Sequence, residues 1–463
     1  MFRPPINRAM RVLDRSYFQK KIPLAAARVL QKKHIAKCKA ELTDDLLKLE
    51  RVIVVRDDPV QKDQKALLLN PGIKPDNVST WSEKLRQLVE EKQVDVTDHY
   101  LELTYDYWNY HDIMTAILPE EEQEELPTGF TIVGHVAHLN LRENYLPYKH
   151  LIATVLLDKN PIIRSVINKT DLVGSENPYR TFSYELLAGS PDLNVEVAEE
   201  GCLFRFDYSK VYWNSRLGTE HKRLVGLFQE GEAVCDVMAG VGPFAVPAGR
   251  KRVFVWANDL NPDSYEGLVG AVERNKVLNL LIYFLVWRPD DGEYTHLTQV
   301  SQFVRPFCED GHSFIRTAAR KLRQTEHSAV ISRKVSRNAP PGAAPEPLVI
   351  PQPKTFAHYV MNLPASAITF LPDFIGLYNG QEELFTPYTK MKFPMIHVYC
   401  FSTKSDDNKA EEDKICKEIS EQMKFEIKPG DEEVTIWDVR DVAPQKRMFC
   451  ASFRLPREVA FGC

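Results

Sequence analysis

The stretch VCDVMAGVGPFAVPAG, residues 234–249, limits the fold more than any other part of the chain. An apolar run ends in an acid, Asp236, and then meets Gly240 and Gly242 one residue apart. Such a pattern describes a buried strand that turns at once into a helix. Further segments repeat the alternation: RVFVWANDLN, YEGLVGAVERNKVL, FAHYVMNLP and MIHVYCF. Strands alternating with helices predict a mostly parallel sheet covered on both faces, so residues 201–463 are expected to form a doubly wound, Rossmann-like α/β domain.

The glycine turn admits three readings. Gly240, Gly242 and Ala245 satisfy the spacing G-x-G-x-x-G/A, and Asp259 follows about twenty residues later, where an acid hydrogen-bonds a ribose diol. This would suit an NAD(P)-dependent oxidoreductase. Asp236 argues otherwise, because a carboxylate at the loop repels a pyrophosphate but suits the ammonium and sulfonium of S-adenosylmethionine. Pro243 also removes an N–H that phosphate binding would use. The bland alternative is a tight strand-to-helix corner with no ligand.

Two other stretches carry candidate chemistry. FRFDYSKVYWNSRLGTEHKRLVGL, residues 204–227, sets Arg216, Glu220 and His221 at the head of a helix, where they also read as ordinary first-turn charges with Thr219 as the N-cap. YVMNLPAS, residues 359–366, is an apolar strand ending in Asn-x-Pro. Many amino-methylating enzymes place a related motif there to grip the target nitrogen, although a strand-ending turn explains the same letters.

A chain of 463 residues, 44% hydrophobic, can bury more than one core. The expected divisions are 1–125, 128–200 and 201–463, with the acidic run PEEEQEELPTG as a linker. A Pro/Ala-rich insertion near 336–354 is expected to form no packed element. Eight scattered cysteines without a CxxC pair argue against a zinc ribbon or a secreted disulfide scaffold, and no metal site is expected. The longest apolar run, NLLIYFLVW at 279–287, is far shorter than the roughly 20 residues a membrane span needs. With no signal-peptide stretch at its start, the chain is expected to be soluble and cytoplasmic. Net charge is only −5, yet residues 1–40 are basic with a single acid, Asp14. That segment reads as a mitochondrial presequence, a basic arm on RNA, or a solvated helix face carrying PLAAARVLQ. The first reading would add the mitochondrial matrix to the cytoplasm, and a nuclear pool is a further expectation.

DYSKVYWNSRLGTEHKRL, DVMAGVGPFAVPA, ANDLNPDSYEGL, MNLP and the upstream HVAHLNLRENYLPYKHLIA together resemble the eukaryotic and archaeal tRNA (guanine-37) N1-methyltransferases. The resemblance runs from about residue 134 to 364, with further likeness in FPMIHVYCF. It departs from the family at Gly218, His221 and the Pro-rich insertion. It implies a class I S-adenosylmethionine-dependent methyltransferase domain preceded by smaller α+β RNA-binding domains. It also implies methylation of N1 of guanosine, or inosine, at tRNA position 37. Glu220 would be the base and Arg180 the cation at O6, while Asn362 and Pro364 would hold the base edge. Asp236, Gly240, Gly242, Pro243, Phe244, Asp259, Leu260, Asp310 and Asn362 would bind the donor. Arg216, His221, Arg142, Asn144 and Tyr145 would contact RNA. The middle and last domains would grip the anticodon stem-loop, the first domain would reach toward the elbow, and a monomer would suffice. An aminocarboxypropyl transferase of the wybutosine pathway, and a tRNA-binding protein without activity, are the competing readings.

Overall fold

The alanine-rich run near the N-terminus is a strand and not a helix. The computed structural model describes residues 2–61, 63–123, 126–170, 179, 181–275, 300–331 and 346–462. In it Lys20–Val29 pairs antiparallel along its whole length with Val94–Leu103, and its second half pairs with Lys65–Leu68. Ala25, Ala26 and Ala27 have no exposed surface. The helix preference of alanine amounts to tenths of a kcal/mol per residue, roughly, and two flanking ladders plus complete burial outweigh it. This overturns the helix-face reading of residues 1–40.

The described chain forms two units, Met1–Phe130 with Leu139–Ile167 and Leu186–Gly189, and Thr131–His138 with Asn168–Glu185 and Ser190–Cys463. The expected middle region 128–200 contributes to both. In the first unit the four-stranded sheet packs Ala25, Ala27, Val29 and Leu67 against Cys38, Leu85 and Leu88 of the helices Ile35–Glu41 and Glu83–Glu90. Ser82 starts the second of these helices by accepting the Leu85 N–H at 3.0 Å. The acidic run is tied down within this unit: Glu120–Glu122 is a 3₁₀ turn, and the Glu122 carbonyl accepts from the Tyr145 hydroxyl at 2.9 Å. Glu124 and Glu125 lie outside the described residues.

The second unit holds a seven-stranded sheet. Its order is Val304–Phe307, Phe254–Asn258, Ala233–Asp236, His358–Met361, Met395–Ser402, Lys446–Arg454, Thr435–Ala443. The first five are parallel and the last two run antiparallel to their neighbours. Helix Gly311–Gln324 buries Phe314, Ile315, Ala318, Ala319 and Leu322, a spacing that gives one apolar face against the sheet core of Trp256, Phe356 and Tyr359. The chain leaves the central strand Ala233–Asp236 toward one edge and returns as His358–Met361 on its other side. This reversal opens a crevice at the carboxyl ends of the strands. The strands read from VCDVMA, RVFVWANDLN, FAHYVMNLP and MIHVYCF are all present in this doubly wound sheet.

Residues 336–345 of the Pro/Ala-rich insertion and the apolar run 279–287 lie outside the described residues. The end of the insertion does form an element, contrary to expectation: Leu348–Pro351 pairs antiparallel with Ser328–Ile331. Leu348, Val349 and Ile350 are strand-favouring apolar residues, and the prolines sit at the ends, Pro347 just before the strand and Pro351 at its last position. Among the described residues no helix is long and apolar enough to cross a membrane.

Candidate active site

The glycine loop is built by backbone geometry. Gly240 has φ +56° and Gly242 φ +95°, conformations that side chains rarely adopt. A Cβ on Gly242 would lie 2.6 Å from Leu268 Cδ1 and 3.0 Å from Val246 Cγ2, so the loop closes directly on the helix Pro262–Arg274. Gly242→Ala is therefore expected to destabilise the protein by about 1–3 kcal/mol through strain and overpacking. An unchanged denaturation midpoint would contradict this.

Five expected donor-binding residues, Gly240, Asp259, Leu260, Asp310 and Asn362, line an open cleft of about 750 Å³. Asp259 Oδ2 accepts the Gly240 N–H at 2.8 Å and Oδ1 the Asn261 N–H at 2.9 Å, which locks the acid to the loop. Burial raises its carboxyl above the usual range, and these two hydrogen bonds oppose that rise. Asp310 caps helix Gly311–Gln324 through the Ser313 N–H at 3.1 Å. Asn258 fixes the end of its strand beside Asp310, donating to the carbonyls of Val237 at 3.1 Å and Glu309 at 2.9 Å and accepting the Glu309 N–H at 2.8 Å.

Asp236 is fully buried and does not line the cleft. It sits on the central strand in register with Ala257 and Val360, with a strand on each side. Neither carboxylate oxygen has a hydrogen-bond partner among the described residues. Burial, then the charge of Asp259, pushes its carboxyl well above the usual range. Asp236, expected from the sequence to face the donor, lies behind the cleft wall in this structure. Phe244 also turns inward: it is buried, its ring 4.7 Å from His221 and 6.2 Å from Tyr399, and neither it nor Pro243 lines the cleft. Pro364 lines a separate cavity with Ser366, Thr369 and Glu418.

Tyr212, Asn258, Ser264 and Phe370 line the cleft and were not singled out from the sequence. Tyr212 lies inside the stretch 204–227, four residues before Arg216, and is exposed. Phe370 has no local signal; its ring stacks on His312 at 3.9 Å and 12°, and His312 Nδ1 is held by Asp373 at 2.6 Å.

Helix Gly218–Leu227 carries the expected base. It starts at Gly218 with no side-chain cap, so Thr219 is not the N-cap. Glu220 is 4% exposed and does not line the cleft. Its Oε1 accepts from Arg223 Nη2 at 2.6 Å and the Tyr399 hydroxyl at 2.7 Å, and its Oε2 accepts from Arg223 Nε at 2.7 Å. His221, expected to meet RNA, is equally buried and bonds Glu199 at 2.5 Å, because its place on the helix faces Phe244 rather than solvent. Tyr145 is likewise buried, in the first unit, where Asn144 pairs with Glu122. Arg142 and Arg216 are exposed, as RNA contact requires. Arg180 lies outside the described residues.

Residues 110–192 match the TYW2 N-terminal domain, and residues 195–332 match the TRM5/TYW2 methyltransferase domain. A tRNA (guanine(37)-N(1))-methyltransferase of Aspergillus fumigatus is 52% identical over 100% of this chain and 96% of its own length. The chain belongs to the tRNA (guanine(37)-N(1))-methyltransferase family. The family's Schizosaccharomyces pombe member is 44% identical over 97% of this chain and 95% of its own. The complex of aTrm5 with tRNALeu shares the fold, with a TM-score of 0.55, 17% identity, and coverage of 93% of this chain and 100% of that one. Wild-type Trm5b of Pyrococcus abyssi does so at 0.52 and 20%, covering 93% and 99%.

Proposed function

We propose that this chain transfers the methyl group of S-adenosylmethionine to N1 of guanosine 37 in tRNA, 3′ of the anticodon. The observation that carries this reading is identity of about half the residues, end to end, with relatives named for that reaction. The site fits the donor: an acid on the cleft wall is tied to a glycine loop, and behind it lies a buried carboxyl with no partner among the described residues. S-adenosylmethionine, when bound, supplies an electrophilic methyl group.

The chain's own residues do the rest. Asp259 takes one backbone N–H on each oxygen and has the Ser264 hydroxyl as a further partner, and its remaining acceptor capacity serves a ribose hydroxyl. Asp310 offers an acceptor for the adenine amino group, and Asn362, at the end of strand His358–Met361, offers an amide to the edge of the target base. Guanine N1 carries a proton and its electron pair is delocalised, so nucleophilic attack requires the proton to leave while charge grows on O6. By the family resemblance Glu220 takes that proton and Arg180 serves as the cation for O6; Glu220 lies buried behind the cleft wall, so the target base has to open a path to it on binding.

Asp259→Ala should weaken donor binding roughly 10- to 100-fold, the loss of a charged acceptor for buried hydroxyls, and leave tRNA affinity unchanged. Calorimetry showing wild-type donor affinity would contradict the assignment. The reading as a whole is tested with two donors, one labelled in the methyl group and one in the aminobutyrate portion. Only the methyl label should enter tRNA; transfer of the other label would indicate an aminocarboxypropyl transferase.

A further inference from the structure

Helix Gly218–Leu227 places Glu220 and Arg223 above a row of side chains crossing three strands. Tyr399 is in register with Cys450, and Cys450 with Trp437, so the three project from the same face of the sheet. The Tyr399 hydroxyl donates to Glu220 at one end of the row. At the other end the Arg223 guanidinium lies 5.0 Å from the Trp437 ring centroid. Between them Arg223 grips Glu220 with two parallel hydrogen bonds of 2.6 and 2.7 Å.

An ionised carboxylate offers about four acceptor positions. Among the described residues three on Glu220 are filled, two on Oε1 and one on Oε2, and the fourth lies on Oε2. We propose that Tyr399 and Arg223 are positioning residues that hold the Glu220 carboxylate, behind the cleft wall, in one orientation that leaves a single acceptor position, on Oε2, for the N1 proton of the target guanine. This inference rests on Glu220 being the base. In the step, the N1–H bond breaks as Oε2–H forms. The electron pair stays on the guanine, and Glu220 becomes a neutral carboxylic acid.

The surroundings suit that change. Burial pushes the Tyr399 hydroxyl well above the usual phenol range, so it stays a donor throughout. Burial, then the Glu220 charge, pushes the Cys450 thiol up to about 11, so no second negative charge arises beneath the pair. Once Glu220 is neutral, Arg223 keeps its charge against the face of Trp437, a favourable cation–π partner. Among the described residues, Arg223 from the helix, Tyr399 from strand Met395–Ser402 and Cys450 from strand Lys446–Arg454 are the titratable groups that face Glu220.

The test is the pH dependence of single-turnover methylation by the full chain carrying Tyr399→Phe, which keeps the ring and removes only the donor. Removing a hydrogen bond to the ionised form disfavours that form. The acid limb of the profile should therefore move to higher pH, and the rate at neutral pH should fall roughly 10- to 100-fold with donor and tRNA affinities unchanged. Arg223→Lys, which keeps the charge but not the paired geometry, should move the limb the same way. Wild-type rate and acid limb in both variants, with Glu220→Gln slow, would overturn the positioning role and leave the base in place. Wild-type rate in Glu220→Gln would overturn both.

Discussion

Glu220→Gln should lower the single-turnover methylation rate by roughly 10² to 10⁴ while donor and tRNA affinities stay near those of the wild type. The amide keeps the shape of the side chain and an acceptor for Tyr399, but it cannot take up the N1 proton. It also turns an N–H toward the Arg223 guanidinium, so a thermal melt recorded beside the kinetics separates lost chemistry from lost packing. A rate within a few-fold of wild type would leave Glu220 as an anchor of its helix and nothing more.

The second large effect is set by the substrate base. Inosine at position 37 keeps the N1 proton and O6 of guanosine and lacks only the 2-amino group, so the acceptor position on Glu220 Oε2 still finds its proton. Adenosine presents a bare lone pair at N1 to that carboxylate and an amino donor where O6 belongs. Lone pair against carboxylate and donor in place of acceptor together cost several kcal/mol, roughly, which is enough to abolish turnover. Three tRNAs identical except at this base should give methylation of guanosine, measurable methylation of inosine and essentially none of adenosine. Comparable incorporation into adenosine would remove Glu220 from the mechanism.

The sheet was legible because strand, acid, glycine turn and helix recur at local spacing, and each turn residue has a backbone reason to be there. Gly242 shows this, with its positive φ and a helix too near for any Cβ. The N-terminal alanines were not legible, since their local preference is helical and only pairing with Val94–Leu103 and Lys65–Leu68 makes them a strand. On the site, Asp259 and Asn362 follow from motifs at strand ends, Asp310 follows from the family resemblance, and all three reach the cleft. Phe244 and His221 belong to the same motifs but turn inward, because neighbours within a motif alternate between ligand and core, and sequence does not say which. Tyr399 and Arg223 lie in stretches that were read, but nothing in the sequence brings them together. Their role depends on register across three strands, which is fixed only once the sheet forms.

The most direct measurement is nucleoside mass analysis of a tRNA transcript bearing guanosine 37 after incubation with the purified chain and S-adenosylmethionine. The account predicts a gain of one methyl group on that nucleotide, chromatographing as 1-methylguanosine. An unmodified nucleotide 37, a methyl group on another guanine atom or an aminocarboxypropyl adduct would contradict it.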